Sequence, residues 1–189
     1  MKKIKEHINA SIAAKQAFLA DEALLEKIEE AADVIATAFK NGNKLLLCGN
    51  GGSACDAMHI AEELTGNYDK RRKALPAIPL TDAGHLTCTA NDFGYEEVFA
   101  RGVQAYGKQG DVLLAISTSG NSKNVIRAVE EAYAQQMEVI ALTGKDGGFL
   151  KATVANSIIV PSNNTANIQE CHIMIGHILI ELVEAELFG

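Results

Sequence analysis

The chain of 189 residues carries a formal net charge of −7 and contains no tryptophan. This length fits one domain with a large core, and the acidic balance argues against nucleic acid as the main partner, because neutralising phosphates requires a basic face. The longest apolar run is too short to span a bilayer, the basic start lacks the apolar segment of a secretory signal, and the four cysteines form no C-x-x-C pair. We therefore expect a cytoplasmic protein with reduced thiols.

The first forty residues are predicted to form two helices, residues 3–19 and 22–40. The second segment has apolar side chains at helical spacing from Leu24 to Phe39. Gly42 follows as a stop signal. Both helices precede the first predicted strand.

A short apolar strand, Leu45 to Leu47, follows and stops at a glycine-rich turn, residues 49–52. Glycine allows a tight turn whose backbone amides approach an anion closely. We place Ser53 at the N-cap of the next helix, where its hydroxyl and the first free N–H groups point back at the turn. The turn therefore predicts a phosphate-binding site.

The helix after this turn carries polar side chains on one face. His59 and Glu63 are four residues apart and lie next to each other, with Cys55 one turn earlier. An imidazole and a carboxylate at this spacing suit metal ligation or proton transfer, whereas either residue alone is more often a solvated side chain. Their position behind an anion-binding turn favours a functional role.

The rest of the chain alternates between helices and strands. A basic cluster at residues 70–73 is interpreted as a solvated surface, and Pro79 restricts the predicted strand 77–80 to an edge or terminal position. Helices are predicted for 82–93, for 95–106, from 122 or 123 onwards and for 168–187, and strands for 111–116, 138–142 and 156–160. This alternation predicts an α/β fold, a doubly wound parallel sheet flanked by helices.

A second turn rich in hydroxyls, residues 117–122, follows the strand 111–116. Open α/β sheets bind ligands in the crevice beyond the carboxyl ends of their strands. Hydroxyls and amides of this turn are placed to surround a phosphate, with a helix N-terminus behind them; the side chains are Ser117, Thr118, Ser119 and Ser122. Two such turns in equivalent positions predict a sugar-phosphate site more strongly than either one alone.

Two other phosphate-binding motifs fit less well. Gly49, Gly51 and Ala54 satisfy G-x-G-x-x-A, but no acidic residue closes a clear second strand about 20 residues later, as a dinucleotide site requires. The pair Gly144 and Lys145 is followed by an aspartate rather than by the serine or threonine of a P-loop. Both motifs rank below a sugar-phosphate site.

Five segments of the chain resemble the bacterial phosphoheptose isomerases, a single-domain branch of the SIS (sugar isomerase) family. They are residues 48–66, 90–101, 110–128, 141–148 and 168–184. The resemblance implies that residues 1–189 form one SIS domain, a flavodoxin-like three-layer sandwich. It also implies isomerisation of sedoheptulose 7-phosphate to D-glycero-D-manno-heptose 7-phosphate, a precursor of lipopolysaccharide and other surface glycans.

The resemblance also assigns roles to individual residues. It implies that Glu63 and His177 form the acid/base pair and that one zinc ion per subunit is held by His59, Glu63, Gln169 and His177. The substrate-binding set that it implies is Asn50, Gly51, Gly52, Ser53, Asp92, Ser117, Thr118, Ser119, Ser122 and Gln169. A homotetramer is implied, with sites between subunits and with the N-terminal helices and the last helix in its core.

The chain departs from the family pattern at two positions. Asn67 and Asn167 stand where the family commonly has arginine. Arginine grips a carboxylate or phosphate with two parallel hydrogen bonds, and asparagine supplies neither the charge nor the reach. Arg71 and Arg72 are the candidates to compensate for the loss of these two arginines.

A binding protein of the same fold is the alternative hypothesis. The DnaA initiator-associating protein is similar along its length but works as a tetrameric adaptor on a protein partner. That branch does not keep a glutamate at the position of Glu63, so its presence here favours an enzyme. A sugar-phosphate sensor would need an attached output module, and we expect none from these 189 residues.

Overall fold

A computed structural model describes residues 1–69 and 71–189 as eight α-helices and five β-strands. The helices are α1 (Lys2–Leu19), α2 (Glu22–Lys40), α3 (Gly52–Thr65), α4 (Ala83–Phe93), α5 (Val98–Tyr106), α6 (Lys123–Ala134), α7 (Gly148–Thr153) and α8 (Thr165–Phe188). The strands are β1 (Leu45–Gly49), β2 (Ala77–Pro79), β3 (Val112–Ile116), β4 (Glu138–Gly144) and β5 (Asn156–Val160). No helix in the described part of the chain is long and apolar enough to cross a membrane.

The five strands form one parallel sheet in the order β2–β1–β3–β4–β5. Both faces of the sheet are covered, which explains the continuous apolar runs of β1 and β3. Leu45 and Leu47 face the layer of α1, α2, α3 and α8, whereas Leu46 faces the layer of α5, α6 and α7. The predicted doubly wound parallel sheet in a three-layer sandwich is thereby confirmed.

Most predicted element boundaries agree with the structure to within a few residues. Pro79 ends the edge strand β2, as expected for a residue without an N–H donor. The last helix begins three residues earlier than predicted because the Asn164 side chain accepts hydrogen bonds from the first amides of α8. The sequence analysis missed α7, a six-residue helix whose N-cap, Gly147, has a φ of +85°.

The basic cluster is not entirely a solvated surface, and for Arg72 this prediction is wrong. Arg72 Nε lies 2.6 Å from Glu184 Oε1, and the two side chains are only 2% and 7% exposed. The guanidinium also donates to the carbonyl oxygens of Glu63 and Leu64, at 2.8 Å each. Arg72 therefore satisfies the free carbonyls at the end of α3 and ties that end to α8, so it is not available for substrate. Lys70 of this cluster lies outside the described residues.

Helices α3 and α8 pack against each other closely through a glycine. A Cβ atom built on Gly176 of α8 would lie 2.7 Å from Ile60 Cδ1 and 2.8 Å from Ile60 Cγ1. Ile60 is almost fully buried on α3 and belongs to the core on this side of the sheet. Only glycine at position 176 allows this approach, which determines how near the polar residues of the two helices come to one another.

We predict that Gly176→Ala lowers the free energy of unfolding by about 1–3 kcal/mol, because the new methyl group overpacks the contact with Ile60. The loss is expected although alanine favours a helix by about 1 kcal/mol over glycine. Ile60→Ala alone should cost about 2–5 kcal/mol through the cavity that it leaves. In the double variant the methyl group fills part of that cavity, so urea unfolding should give a loss smaller than the sum of the two.

Gly102→Ala in α5 is the matched control for this cycle. A Cβ there would meet the Leu80 side chain, on the other face of the sheet. Its effect should add to that of Ile60→Ala, because the two positions share no contact. Additive losses for Gly176→Ala with Ile60→Ala would contradict the packing described here.

Candidate functional site

The two predicted phosphate turns lie next to each other at the carboxyl end of the sheet. One turn follows β1 and leads into α3, and the other, residues 117–122, follows β3 and leads into α6. The register of the sheet pairs Gly49 with Ile116, so the turns begin at the same level on neighbouring strands. The chain passes from β1 to β2 on one side and continues from β3 to β4 on the other, so the turns flank the point where the strand order reverses. Ligands of open α/β sheets bind at such a point.

The first turn needs glycine for conformation and for space. Gly51 has a φ of +56° and is the N-cap of α3, so the prediction that Ser53 is the N-cap is wrong. Ser53 lies inside the first helical turn and is buried. It packs so closely against Gly49 that a Cβ atom on Gly49 would lie 2.6 Å from Ser53 Cβ. The amides of Gly51 and Gly52 make no hydrogen bond within residues 1–69 and 71–189, and they remain as donors for an anion.

Three of the four predicted hydroxyl residues of the second turn, Thr118, Ser119 and Ser122, are half-buried. Ser117 is buried, and its Oγ donates to Ser122 Oγ at 3.1 Å. Gly120 has a φ of +65°, and a Cβ there would lie 1.9 Å from the carbonyl oxygen of Gly147. The turn is therefore packed against the loop before α7 and held in one position.

Two asparagines, Asn50 and Asn124, join the two turns. The sequence analysis identified Asn50 and missed Asn124. Asn50 Nδ2 donates to Asn124 Oδ1 at 2.8 Å, and Asn124 Nδ2 donates back to Asn50 Oδ1 at 2.9 Å. Tyr95 OH donates to the same Asn50 oxygen at 2.8 Å. Asn124 is buried in the first turn of α6. Its polar side chain directly after the hydroxyl-rich turn was the sequence signal that could have identified it as a site residue. Asn50 thus has a structural contact besides its predicted position near the sugar.

Asp92 makes its side-chain hydrogen bonds within α4. It is exposed near the end of α4, and its carboxylate accepts from Asn91 Nδ2 at 2.8 Å and lies 3.7 Å from Cys88 Sγ. Among the described residues, no hydrogen bond connects Asp92 with the other predicted substrate-binding residues. Its predicted role at the sugar hydroxyls stays a prediction.

Three predicted side chains from α3 and α8 meet at one point. His59 Nε2 lies 3.1 Å from Glu63 Oε1 and 3.3 Å from His177 Nε2, and His177 Nε2 lies 3.8 Å from Glu63 Oε1. The ring of Tyr68 stacks on His177 with centroids 5.8 Å apart. Residues 118 positions apart in the chain are thereby brought into contact, which sequence spacing alone does not show.

The geometry of these three side chains fits a zinc ion. Neighbouring ligand atoms lie about 3.3 Å apart in a tetrahedral site with bonds of about 2.0–2.1 Å, and two imidazoles with a carboxylate are ligands that zinc accepts. The three separations of 3.1, 3.3 and 3.8 Å bracket that value. In addition, Glu63 Oε2 is buried with no partner among the described residues. A buried carboxylate oxygen without a partner is costly unless a cation or a donor satisfies it.

Gln169, the fourth predicted ligand, lies about two turns before His177 on α8. A Cβ on Gly52 would be 3.4 Å from Gln169 Cγ, so this side chain covers the start of α3. Its Nε2 donates to Asp56 Oδ1 at 2.6 Å. Burial raises the pKa of the Asp56 carboxyl, and the hydrogen bond from Gln169 and the nearby histidines His59 and His177 oppose that rise. Asp56 was missed by the sequence analysis, although its position three residues before His59 was visible.

Comparison with known proteins shows a match to a family model and high sequence identity to two curated relatives. A family model for the SIS domain matches residues 7–144. The phosphoheptose isomerases of Photorhabdus laumondii and Klebsiella pneumoniae are each 54% identical to this chain over 185 residues, which is 97% of this chain and 96% of theirs.

Solved structures give the same likeness in three dimensions. The phosphoheptose isomerase of Neisseria gonorrhoeae has a TM-score of 0.91 at 43% identity and covers 97% of this chain and 98% of its own. That of Francisella tularensis has a TM-score of 0.93 at 40% identity and covers 97% of both chains. The chain therefore belongs to the phosphoheptose isomerase family of SIS-domain proteins.

Proposed function

We propose that this chain converts sedoheptulose 7-phosphate into D-glycero-D-manno-heptose 7-phosphate through an enediol intermediate. The observation that carries the proposal is the meeting of His59, Glu63 and His177 within 3.8 Å, on α8 and on the helix α3 that begins at the first anion-binding turn. The likeness to phosphoheptose isomerases along nearly all of both chains supports the choice of substrate. We place the reaction in the cytoplasm, in heptose synthesis for lipopolysaccharide or other surface glycans.

The phosphate is held by backbone amides and hydroxyls rather than by a cluster of basic side chains. The amides of Gly51 and Gly52 at the start of α3 have no partner among the described residues, and Thr118 and Ser119, in the turn before α6, are half-buried. Helix N-termini attract anions through their unpaired N–H groups and the helix dipole. This arrangement allows a chain with a net charge of −7 to bind a phosphorylated sugar.

Glu63 is the base that moves the proton between carbon atoms. It removes a proton from C1 of the open-chain ketose, and the electron pair of that C–H bond forms the C1=C2 bond of the enediol. The same carboxyl then returns the proton to C2. His177 gives a proton to the oxygen on C2 and takes one from the oxygen on C1, so that the aldehyde forms at C1 and no proton is gained or lost overall.

The two oxygens of Glu63 have different surroundings. Oε1 lies toward the imidazoles of His59 and His177, whereas Oε2 has no partner among the described residues. We assign the Glu63 carboxylate, together with His59, His177 and Gln169, to holding the zinc ion, and the same carboxylate to the proton transfer between C1 and C2. Zinc, when bound, supplies a Lewis acid that polarises the carbonyl and stabilises the enediolate charge.

We also propose a homotetramer in which α1 and α8 form part of the subunit contacts. The isoleucines of α1 at positions 4, 8 and 12 recur at a helical spacing of four and are about half exposed. A contiguous apolar stripe on a helix is more stable when a second surface covers it. Light scattering of the purified chain measures the assembly directly, and a mass of one subunit would contradict it.

We predict that the wild-type chain converts sedoheptulose 7-phosphate to the aldoheptose 7-phosphate and that Glu63→Gln lowers kcat by about 10²–10⁴-fold, because an amide cannot accept the C1 proton. NMR of the sugar phosphates follows the reaction. Circular dichroism and light scattering should show an unchanged fold and assembly.

Glu62→Gln is the matched control, because it makes the same change on an exposed neighbouring residue of α3. It should turn over like the wild type. Undiminished activity of Glu63→Gln would remove this residue from the role of base, and a wild-type chain without activity on this sugar would refute the proposed function.

A third prediction concerns the phosphate. Ser119→Ala should raise KM about 10-fold or more with a smaller effect on kcat, because a hydrogen bond to a charged group contributes about 1.5–3 kcal/mol. The matched control is Thr37→Ala, which removes an exposed hydroxyl from α2, near the amino ends of β3 and β4. An unchanged KM for Ser119→Ala would place the phosphate elsewhere.

A further inference from the structure

Asp56 is a buried carboxylate next to the site that the proposed mechanism does not use. Asp56 is 3% exposed. Its Oδ1 accepts one hydrogen bond from Gln169, and its Oδ2 is buried with no partner among the described residues. A carboxylate in such a place reduces stability unless it is compensated. Its position is therefore better explained by a task at the site than by a contribution to the core.

The fold places Asp56 beside the predicted zinc ligands. Asp56, His59 and Glu63 are at positions i, i+3 and i+7 of α3, so they lie on one face of the helix. The partner of Asp56 is on α8, the helix that also carries His177. Asp56 thus connects the same two helices as the three converging side chains, at the end nearer to the phosphate turns.

The chemistry of the contact determines which way the Gln169 amide points. An amide has a donor end and an acceptor end, whereas an ionised carboxylate only accepts. Because Asp56 Oδ1 lies 2.6 Å from Gln169 Nε2, the donor end faces Asp56 and Oε1 faces away from it. An isolated glutamine side chain has no such preference, and a reversed amide would turn an N–H group toward the cation.

We infer that Asp56 is a positioning residue, which fixes the amide of Gln169 so that its oxygen is presented to the zinc ion and the substrate. The inference rests on the proposed function, since Gln169 has its ligand role there. Hydrogen bonds to metal ligands orient them and typically change metal affinity or activity by about 10–100-fold.

A double-mutant cycle tests whether Asp56 acts through Gln169. Asp56→Asn has nearly the same shape, but its amide group also offers a donor and so no longer selects one orientation of Gln169. Zinc affinity, measured by competition with a chelator, should fall about 10–100-fold in Asp56→Asn. In the Gln169→Ala background the same change should alter zinc affinity less than about twofold, because there is no amide left to orient. The cycle in kcat/KM should show the same coupling.

Asp111→Asn separates this effect from a general loss of stability. The Asp111 carboxylate is fully buried and pairs with Lys44 at the amino ends of β1 and β3, opposite the candidate site. Its substitution should lower the midpoint of urea unfolding and leave zinc affinity unchanged. Equal losses from Asp56→Asn in both backgrounds, or no loss in either, would overturn the inference. A lack of wild-type turnover on sedoheptulose 7-phosphate would instead refute the proposed function, and the zinc cycle would still decide the role of Asp56.

Discussion

The close approach of α3 and α8 is the constraint on which the candidate site depends. Because Gly176 has no side chain, the buried Ile60 reaches the backbone of α8, and the next residue, His177, comes within 3.3 Å of His59. The buried pair of Arg72 and Glu184 holds the other end of the two helices together. Packing between apolar atoms thus sets the distance between the polar atoms that would bind a cation or move a proton.

A second constraint is the position of the two turns at the reversal of strand order. The sheet supplies a rigid base because both of its faces are buried, and the glycines at 49 and 120 let the turns pack against Ser53 and Gly147 with little space left. The reciprocal amide pair of Asn50 and Asn124 fixes one turn relative to the other. The anion-binding groups therefore have defined positions relative to the carboxylates on α3, which suits a reaction on an open-chain sugar phosphate.

The sequence was sufficient for local features and insufficient for contacts between distant segments. Continuous apolar runs marked the buried strands, and the spacing of His59 and Glu63 placed them together, because both signals depend on residues close in the chain. The N-cap of α3 was assigned to Ser53 because serine prefers that position. In the structure Ser53 instead lies inside the helix and packs closely against Gly49. The partners of Arg72 and Asp56 are 112 and 113 residues away, so the local sequence could not identify these contacts.

X-ray absorption at the zinc edge, on the chain loaded with one equivalent of zinc, tests the central claim that His59, Glu63 and His177 converge on one cation. The account predicts a shell of nitrogen and oxygen ligands at about 2.0–2.1 Å, with outer scattering from two imidazoles and no sulfur. Gln169 would contribute a further oxygen. A sulfur ligand at about 2.3 Å would place the ion at a cysteine instead, and scattering from fewer than two imidazoles would separate the histidines. Either result would contradict the account.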